Sequence, residues 1–174
     1  GYLDVAIAIV HEFDEGFRGY LLQRIAQRQA RSGEFNVALK TAQGINEADV
    51  KADTLRDIAK EQLYAGEVMA ALETTQRIDH TYYQAEALKI IAQRQLQMGE
   101  FTAALATAQK IRENRVWILQ FIAQMQAQSG ELHKALQTIQ QLDKAEDTAW
   151  TLRAILQTRL QPEEFAEVIE FAYK

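Results

Sequence analysis

Apolar residues recur along this chain at steps of three and four, the spacing that places them on one face of an α-helix. The pattern is copied, because the letters IAQRQARSGEF, which begin at Ile25, return as IAQRQLQMGEF at Ile91. Anchored on the glycine of this run, successive copies are 33, 33 and 31 residues apart. Such a period is typical of a repeat architecture. The anchoring glycines are Gly33, Gly66, Gly99 and Gly130.

Each copy predicts two amphipathic helices with the glycine between them. In the first copy Leu22, Ile25 and Ala26 precede the glycine, and the apolar run ALKTAQGI follows it. Glycine suits this turn because a helix commonly ends on a left-handed residue, a conformation that glycine adopts without steric cost. The Glu after each glycine then lies at the start of the next helix, where the helix dipole favours a negative charge.

The two ends of the chain continue the pattern. Residues 1–13 align with residues 33–45, so the chain begins on the second helix of a pair, and it ends on a pair whose second helix starts near Pro162. Because it begins on half a repeat, with Gly rather than Met, we expect a fragment of a longer chain. We predict one domain with eleven helices: a half repeat at 1–17, repeats at 18–48, 49–80, 81–113 and 114–145, and a terminal pair at 146–174.

Composition narrows the function classes. The net charge of -5 speaks against general nucleic-acid binding, which draws on Lys and Arg to neutralise phosphates. No apolar run approaches the roughly 18 residues that cross a bilayer. The absence of Cys excludes disulfides and thiolate metal sites and fits a reducing compartment. We expect a cytoplasmic protein that binds neither nucleic acid nor membrane.

No residue pattern predicts catalysis or metal binding. The three histidines, His11, His80 and His133, have no second histidine or carboxylate at metal-ligand spacing. The glutamates that follow Pro162 are expected on a solvated helix face, whereas general acid–base catalysis needs carboxylates that converge on a pocket. Phosphate-binding, zinc-protease and hydrolase motifs are absent from the sequence. We expect no enzyme activity, no metal and no cofactor.

In spacing, the units resemble tetratricopeptide (TPR) repeats. In the second full unit Leu55, Ile58, Ala59 and Gln62 stand where that family has Trp, Leu, Gly and Tyr, and Ala71 stands at its small packing position. The second-helix aromatic and the closing Pro of the family are missing from every unit. The resemblance implies an all-α fold, a right-handed α-α superhelix (a TPR-like solenoid) of about five helical pairs.

A glutamine occupies the Tyr position of each full unit. A buried amide left without a hydrogen bond costs about 1–3 kcal/mol, so we expect these side chains to be bonded rather than to contact a ligand. The expected partners are the backbone or the glutamines that recur on the second helices, Gln43, Gln76, Gln109 and Gln140. The four Tyr-position residues are Gln29, Gln62, Gln95 and Gln126.

In TPR proteins the first helix of each pair lines a concave groove that holds a partner segment. Arg56, Lys60 and Lys89 resemble in outline the basic clamp with which some TPR domains hold a peptide carboxylate. Exposed Trp, Tyr and Arg dominate binding hot spots. The alternative is that Trp117 and Trp150 pack between pairs and that the charges are solvated. Carried over by position, the predicted groove residues are Tyr20, Gln27, Arg31, Arg56, Lys60, Tyr64, Lys89, Gln93, Trp117, Gln124, Trp150 and Arg153.

The resemblance implies a protein-interaction scaffold that binds a segment of a partner protein, with aromatic anchors and with basic groups that select an acidic partner. Two alternatives stay open. One is a regulatory or sensor module of a larger protein. The other is an oligomerisation module that associates through uncapped apolar ends. Those ends carry Leu3, Ala6, Val10 and Phe13 on one side and Phe165, Val168, Ile169 and Ala172 on the other.

Overall fold

The computed structural model describes residues 14–111, 115–158 and 161–172. Within these ranges the chain forms ten α-helices and no strand, which confirms the all-α prediction. The helices are α1 (Glu15–Arg31), α2 (Phe35–Gln43), α3 (Ala48–Tyr64), α4 (Val68–Gln76), α5 (Thr81–Gln97), α6 (Phe101–Ala108), α7 (Arg115–Gln128), α8 (Leu132–Ile139), α9 (Ala145–Leu156) and α10 (Pro162–Ala172).

The helices match the predicted alternation. The odd-numbered helices are the first members of the pairs, and the even-numbered helices are the second members. The helix predicted within residues 1–13, which carries Leu3, Ala6, Val10, Phe13 and His11, lies outside the described residues.

Contacts divide the chain into two compact units, residues 1–91 and residues 92–174, with the boundary inside α5. In the first unit α1 packs on α2 and α3 packs on α4, while α3 also packs on both members of the preceding pair. In the second unit α7 packs on α6, α8 and α9, and α10 packs on α9 and α8. Within each unit the helices therefore pack neighbour to neighbour.

Small side chains fill much of the core in the first unit. Ala26 and Ala38 of the first pair and Ala52 of α3 are buried in one cluster with the larger Leu55 and Ile58. Alanine at a contact lets two helices approach closely, since the distance between helix axes depends on the side chains between them. The recurring Ala of the sequence pattern is thus a packing residue.

Each repeat glycine ends a first helix in the same geometry. In the first copy the N–H of Gly33 donates to the carbonyl of Ala30 at 3.0 Å, and the N–H of Glu34 donates to the carbonyl of Gln29 at 2.9 Å. These two bonds define a Schellman motif, which needs a left-handed residue at the glycine position. The φ angle is between 77° and 85° at all four glycines. Glu34 is the N-cap of α2, as the sequence predicts for the residue after the glycine.

One buried hydrogen bond recurs in each of the four full pairs. A threonine hydroxyl on the second helix donates to the side-chain carbonyl of the Tyr-position glutamine on the first helix, twelve residues earlier. The Oγ1–Oε1 distances are 2.7 to 2.8 Å. All eight side chains are buried. The pairs are Gln29–Thr41, Gln62–Thr74, Gln95–Thr107 and Gln126–Thr138.

Two kinds of partner were predicted for these glutamines, the backbone or the glutamines of the second helices, and the second kind is wrong. Gln43, Gln76, Gln109 and Gln140 are exposed, and Gln109 donates instead to Gln141 at 3.2 Å. The observed partner is the buried threonine two residues before each of these exposed glutamines, on the side of the second helix that faces the first helix. The expectation that the Tyr-position glutamines are hydrogen-bonded is confirmed.

Replacing Thr74 by valine removes the hydroxyl and keeps the side-chain shape. The buried carbonyl oxygen of Gln62 then loses its donor, so we expect the free energy of unfolding to fall by about 1–3 kcal/mol. Thr75→Val is the matched control, because the equally buried Thr75 hydroxyl donates to the carbonyl of Ala71 in its own helix. It should cost less than about 1 kcal/mol. Urea unfolding followed by circular dichroism measures both, and equal losses would contradict this role of Gln62.

Gly66→Ala tests the turn. A Cβ at Gly66 would meet nothing within 4 Å, so the cost comes from its φ of +85° alone, and we expect a loss of about 1–2 kcal/mol. Gly44 has a φ of -77°, and a Cβ there would make ordinary contacts of 3.4 and 3.5 Å. Gly44→Ala should therefore stabilise the chain by about 0.4–1 kcal/mol through the unfolded state. Thermal unfolding of both variants measures these changes in stability. A Gly66→Ala variant as stable as the original chain would contradict the cost expected from the positive φ angle.

Candidate functional site

Three positions on each first helix form a surface that repeats from pair to pair. They are counted from the core isoleucine of the helix, such as Ile58 in α3. All of these side chains are exposed or half-buried, and together they are called the first-helix surface. Five residues before the isoleucine stand Tyr20, Asp53, Glu86, Trp117 and Trp150; two before stand Gln23, Arg56, Lys89, Gln120 and Arg153; two after stand Gln27, Lys60, Gln93, Gln124 and Gln157.

In the first unit this surface is a hydrogen-bonded network centred on Arg56. Its Nη1 lies 2.7 Å from Oδ1 of Asp53, and its Nη2 lies 2.6 Å from Oδ1 of Asp57. Helix α1 completes the network, because Gln23 donates to Asp53 at 2.8 Å and Gln27 donates to Asp57 at 2.7 Å. The two carboxylates thus join α1 to α3.

The positive charge of Arg56 is stabilised by neighbouring groups. Burial alone lowers the pKa of a guanidinium, but the hydrogen bond to Asp57 and the negative charges of Asp57 and Asp53 outweigh it, so the pKa of Arg56 is raised above its ordinary value. The guanidinium carbon also lies 5.6 Å from the ring centroid of Tyr83 on α5, within cation–π range. Arg56 therefore holds three first helices of the first unit together.

This network bears on the predicted basic clamp. A partner carboxylate would have to compete with Asp53 and Asp57 for the donors of Arg56. Lys89 lies 3.6 Å from the carboxylate of Glu86 on its own helix. The clamp stays a prediction, and the carboxylates already present weigh against it.

Three other predicted residues meet at a shallow depression between α1 and α3. Its volume is about 70 Å³, and its lining is polar: Gln27, Arg31, Asp57, Lys60 and Glu61. Arg31 lies 3.9 Å from Glu61, and the ammonium group of Lys60 lies 5.7 Å from the ring centroid of Tyr64. Acidic and basic side chains both line the depression, so it has no strong preference for a ligand of either charge.

In the second unit the surface is aromatic. The indole of Trp117 stacks on the ring of Phe121 at 5.7 Å, with 5° between the ring planes, and 43% of Trp117 is exposed. Trp150 occupies the same repeat position on α9, which packs against α7, and 60% of it is exposed. Gln124 lies half-buried on α7, as does Gln93 on α5. The two tryptophans therefore lie on adjacent helices, and both are partly exposed to solvent.

Exposed aromatic side chains are concentrated on first helices. Among the described residues, the large exposed aromatics of the first helices are Phe17, Tyr20, Tyr64, Tyr82, Trp117 and Trp150, and on the second helices there is Phe165. Exposed apolar residues of the second helices are otherwise aliphatic, as with Met69. The described first helices therefore carry more exposed aromatic surface than the described second helices.

Arg153 belongs to the first-helix surface and also borders a cavity. It is exposed at the rim of an apolar cavity of about 760 Å³ between α9 and the end of α10. Of the residues predicted to leave apolar surface near the C-terminal side, Phe165 and Ile169 are exposed. Val168 departs from that expectation, because it is buried at the position that alanine holds in the other second helices.

Sequence reasoning missed Asp57, Tyr83 and Phe121, which complete the contacts of predicted residues. Asp57 and Phe121 stand one residue before the core isoleucine, where the other units have Arg24, Ile90 and Ala154. A position without a repeating residue type gives no signal in a repeat alignment. The adjacent letters Arg56 and Asp57 were the one available hint.

The two described histidines each contact one carboxylate and one further side chain, the ring of Tyr83 at 5.0 Å for His80 and the amide of Gln137 at 3.0 Å for His133. His80 lies 3.5 Å from Asp49, and His133 lies 3.6 Å from Glu167. Across the described ranges, no group of three or more His, Asp or Glu side chains could hold a metal ion. In that same part of the chain, no helix combines the length and apolar character needed to cross a membrane.

Comparison of the chain with models of protein families, with curated proteins and with solved structures gives no match in any of the three.

Arg56→Met tests the network of the first unit. The change leaves the half-buried carboxylates of Asp53 and Asp57 without their cation, so we expect the free energy of unfolding to fall by about 1–3 kcal/mol. Arg115→Met is the matched control, since Arg115 makes one contact of 3.4 Å with the largely exposed Asp143. It should change stability by less than about 1 kcal/mol. Chemical unfolding compares the two, and an unaffected Arg56→Met variant would show that Arg56 is not structural.

Proposed function

We propose that this chain is a TPR-like helical-repeat protein that acts as a protein-interaction scaffold, its first helices lining the concave groove of a right-handed superhelix. A segment of a partner protein binds along these helices. The observation that carries the proposal is the pair of exposed tryptophans at one repeat position, Trp117 and Trp150, on adjacent first helices. Tryptophan is the side chain most enriched at binding hot spots.

The geometry of the second unit supports an apolar anchor. Trp117 and Phe121 form a flat stacked platform, which is large, rigid and loses little conformational entropy on binding. Gln120 and Gln124 follow Trp117 by one and two turns on the same helix face. The amide nitrogen of Gln120 donates to the carbonyl of Asp147 at 3.4 Å, so Gln120 offers its oxygen to a peptide N–H, whereas the Gln124 amide can both donate and accept. We propose that the platform and Trp150 receive large apolar side chains of the partner, while the glutamines bind its main chain.

The first unit would contribute less to partner binding than the second unit. Its cations already face carboxylates, with Arg56 between Asp53 and Asp57 and with Arg31 near Glu61. Selection of a strongly acidic partner is therefore less favoured than the sequence alone suggested. Tyr20 and Tyr64 remain exposed beside this network and offer further apolar contacts.

The double change Trp117→Ala/Trp150→Ala should remove the anchor. Peptides selected from a random display library against the whole chain provide the probe, and anisotropy of the labelled peptides gives their Kd. We expect the double variant to bind them at least about tenfold more weakly, because each truncated hot-spot residue typically costs more than 1 kcal/mol. Far-ultraviolet circular dichroism should show unchanged helicity, since both side chains are exposed.

Phe165→Ala is the control, because Phe165 is an aromatic residue of similar exposure on the second helix α10. It should leave peptide affinity within about twofold of the original. Peptides that bind the double variant as tightly as the original chain would contradict the proposal, and so would selective loss of binding in Phe165→Ala.

A further inference from the structure

One repeat position of the first helices keeps its aromatic side chain exposed even where the next first helix is in place. Trp117 is 43% exposed although α9 packs on α7, and Tyr20 is 53% exposed although α3 packs on α1. The exposure therefore belongs to the repeat position and does not depend on which helix is last. Trp150 holds the same position on α9, so α7 and α9 present two indole rings on adjacent helices.

The distance between these two positions limits the conformation of a bound segment. Packed helices lie about 8–10 Å apart, and equivalent positions on neighbouring helices are separated by about the same distance. A polyproline II helix has about three residues per turn and rises about 3.1 Å per residue, so every third side chain returns to one face after about 9.3 Å. One face of a β-strand repeats after about 6.8 Å, whereas an α-helix needs about seven residues to advance about 10.5 Å on one face. The spacing thus favours a polyproline II segment or an α-helix over a strand.

The polar side chains beside the rings favour the polyproline II conformation over an α-helix. Arg153 follows Trp150 by one turn, and its guanidinium can only donate hydrogen bonds. Gln124 follows Phe121 of the aromatic platform by one turn, and its amide can donate as well. The main chain of a polyproline II segment has no internal hydrogen bonds, so its carbonyl oxygens are open to such donors. The carbonyls of an α-helix are mostly bonded within the helix.

Proline in the segment fits the same surface. Proline has no backbone N–H, so a proline-rich main chain offers mainly acceptors, which matches the donors of Arg153 and Gln124. Its fixed φ angle also holds the segment in the polyproline II conformation before binding, which lowers the entropy lost on ordering. Aromatic-lined grooves bind proline-rich segments for these reasons in several classes of protein module.

On the basis of the proposed function, which this step presupposes, we infer that the partner segment is rich in proline and binds across α7 and α9 as a polyproline II helix. Large apolar side chains three residues apart contact the platform of Trp117 and Phe121 on α7 and the indole of Trp150 on α9. The donors of Gln124 and Arg153 bind main-chain carbonyls near those contacts. The partner is therefore selected by an apolar period of three residues rather than by acidic charge.

Two synthetic peptides of identical composition test the period. One repeats Pro-Pro-Leu about four times, which places all its leucines on one face of a polyproline II helix. The other repeats Pro-Leu-Pro-Pro-Pro-Leu about twice, which puts successive leucines on different faces. Fluorescence anisotropy of the labelled peptides with the whole chain gives their Kd. We expect the first peptide to bind at least about tenfold more tightly, because the second can fill only one of the two aromatic contacts.

Variants of the chain locate the contact. Trp117→Ala/Trp150→Ala should weaken binding of the Pro-Pro-Leu peptide at least about tenfold, and Arg153→Met should weaken it at least about threefold. Arg94→Met is the matched control for Arg153→Met, because Arg94 is an exposed arginine of the first helix α5 that lies outside the first-helix surface. It should leave the Kd within about twofold of the original. Circular dichroism checks that each variant keeps its helicity.

Equal affinity for the two proline peptides would overturn the inference, and so would a Pro-Pro-Leu peptide that fails to bind or that binds the double variant equally well. An alanine-rich helical peptide with leucines about seven residues apart is the competitor, and tighter binding of that peptide would show a helical partner instead. The two proposals fail separately. If library peptides without proline bind through Trp117 and Trp150, the interaction scaffold stands and the proline-rich partner does not.

Discussion

The hydrogen bond between a buried glutamine and a buried threonine is the contact on which each helical pair depends. Both side chains are polar, so neither could be buried without the other except at a cost of about 1–3 kcal/mol. The bond fixes the rotation of the two helices about their axes, because a hydroxyl and an amide must meet at 2.7 to 2.8 Å in every pair. With that rotation fixed, the alanines face each other and the polar positions of the first helix face solvent.

The turn and the pairing bond are linked in sequence and in space. Gln29 accepts from Thr41 through its side chain and from the N–H of Glu34 through its backbone carbonyl. One residue thus ends the first helix and holds the second. The terminal pair has Arg159 and Phe171 at the glutamine and threonine positions, and Phe171 lines the apolar cavity instead. In the terminal pair an apolar ring therefore stands where the full pairs have the threonine hydroxyl.

The sequence predicted the helical pairs well because their signals are local and repeated. Gly33 and its three copies mark the turn of each full pair, and the steps of three and four mark both helices. A threonine stands three residues after the first alanine in each copied run, as Thr41 does in ALKTAQ. Its partner was not predictable, because threonine also occurs in helices as a solvated or backbone-bonded residue. The contacts of Arg56 depend on Asp57 and Tyr83, which occupy positions without a repeating residue type, and only the packed helices bring them together.

The glutamine and the threonine of each pair are expected to be energetically coupled, rather than to be two polar groups buried independently. A double-mutant cycle at Gln95 and Thr107, using Gln95→Leu and Thr107→Val, measures this most directly through the free energy of unfolding. Each single change leaves one buried polar group without its partner, whereas the double change removes both, so the account predicts that the double variant loses at least about 1 kcal/mol less than the sum of the two single losses. Strictly additive losses would contradict it.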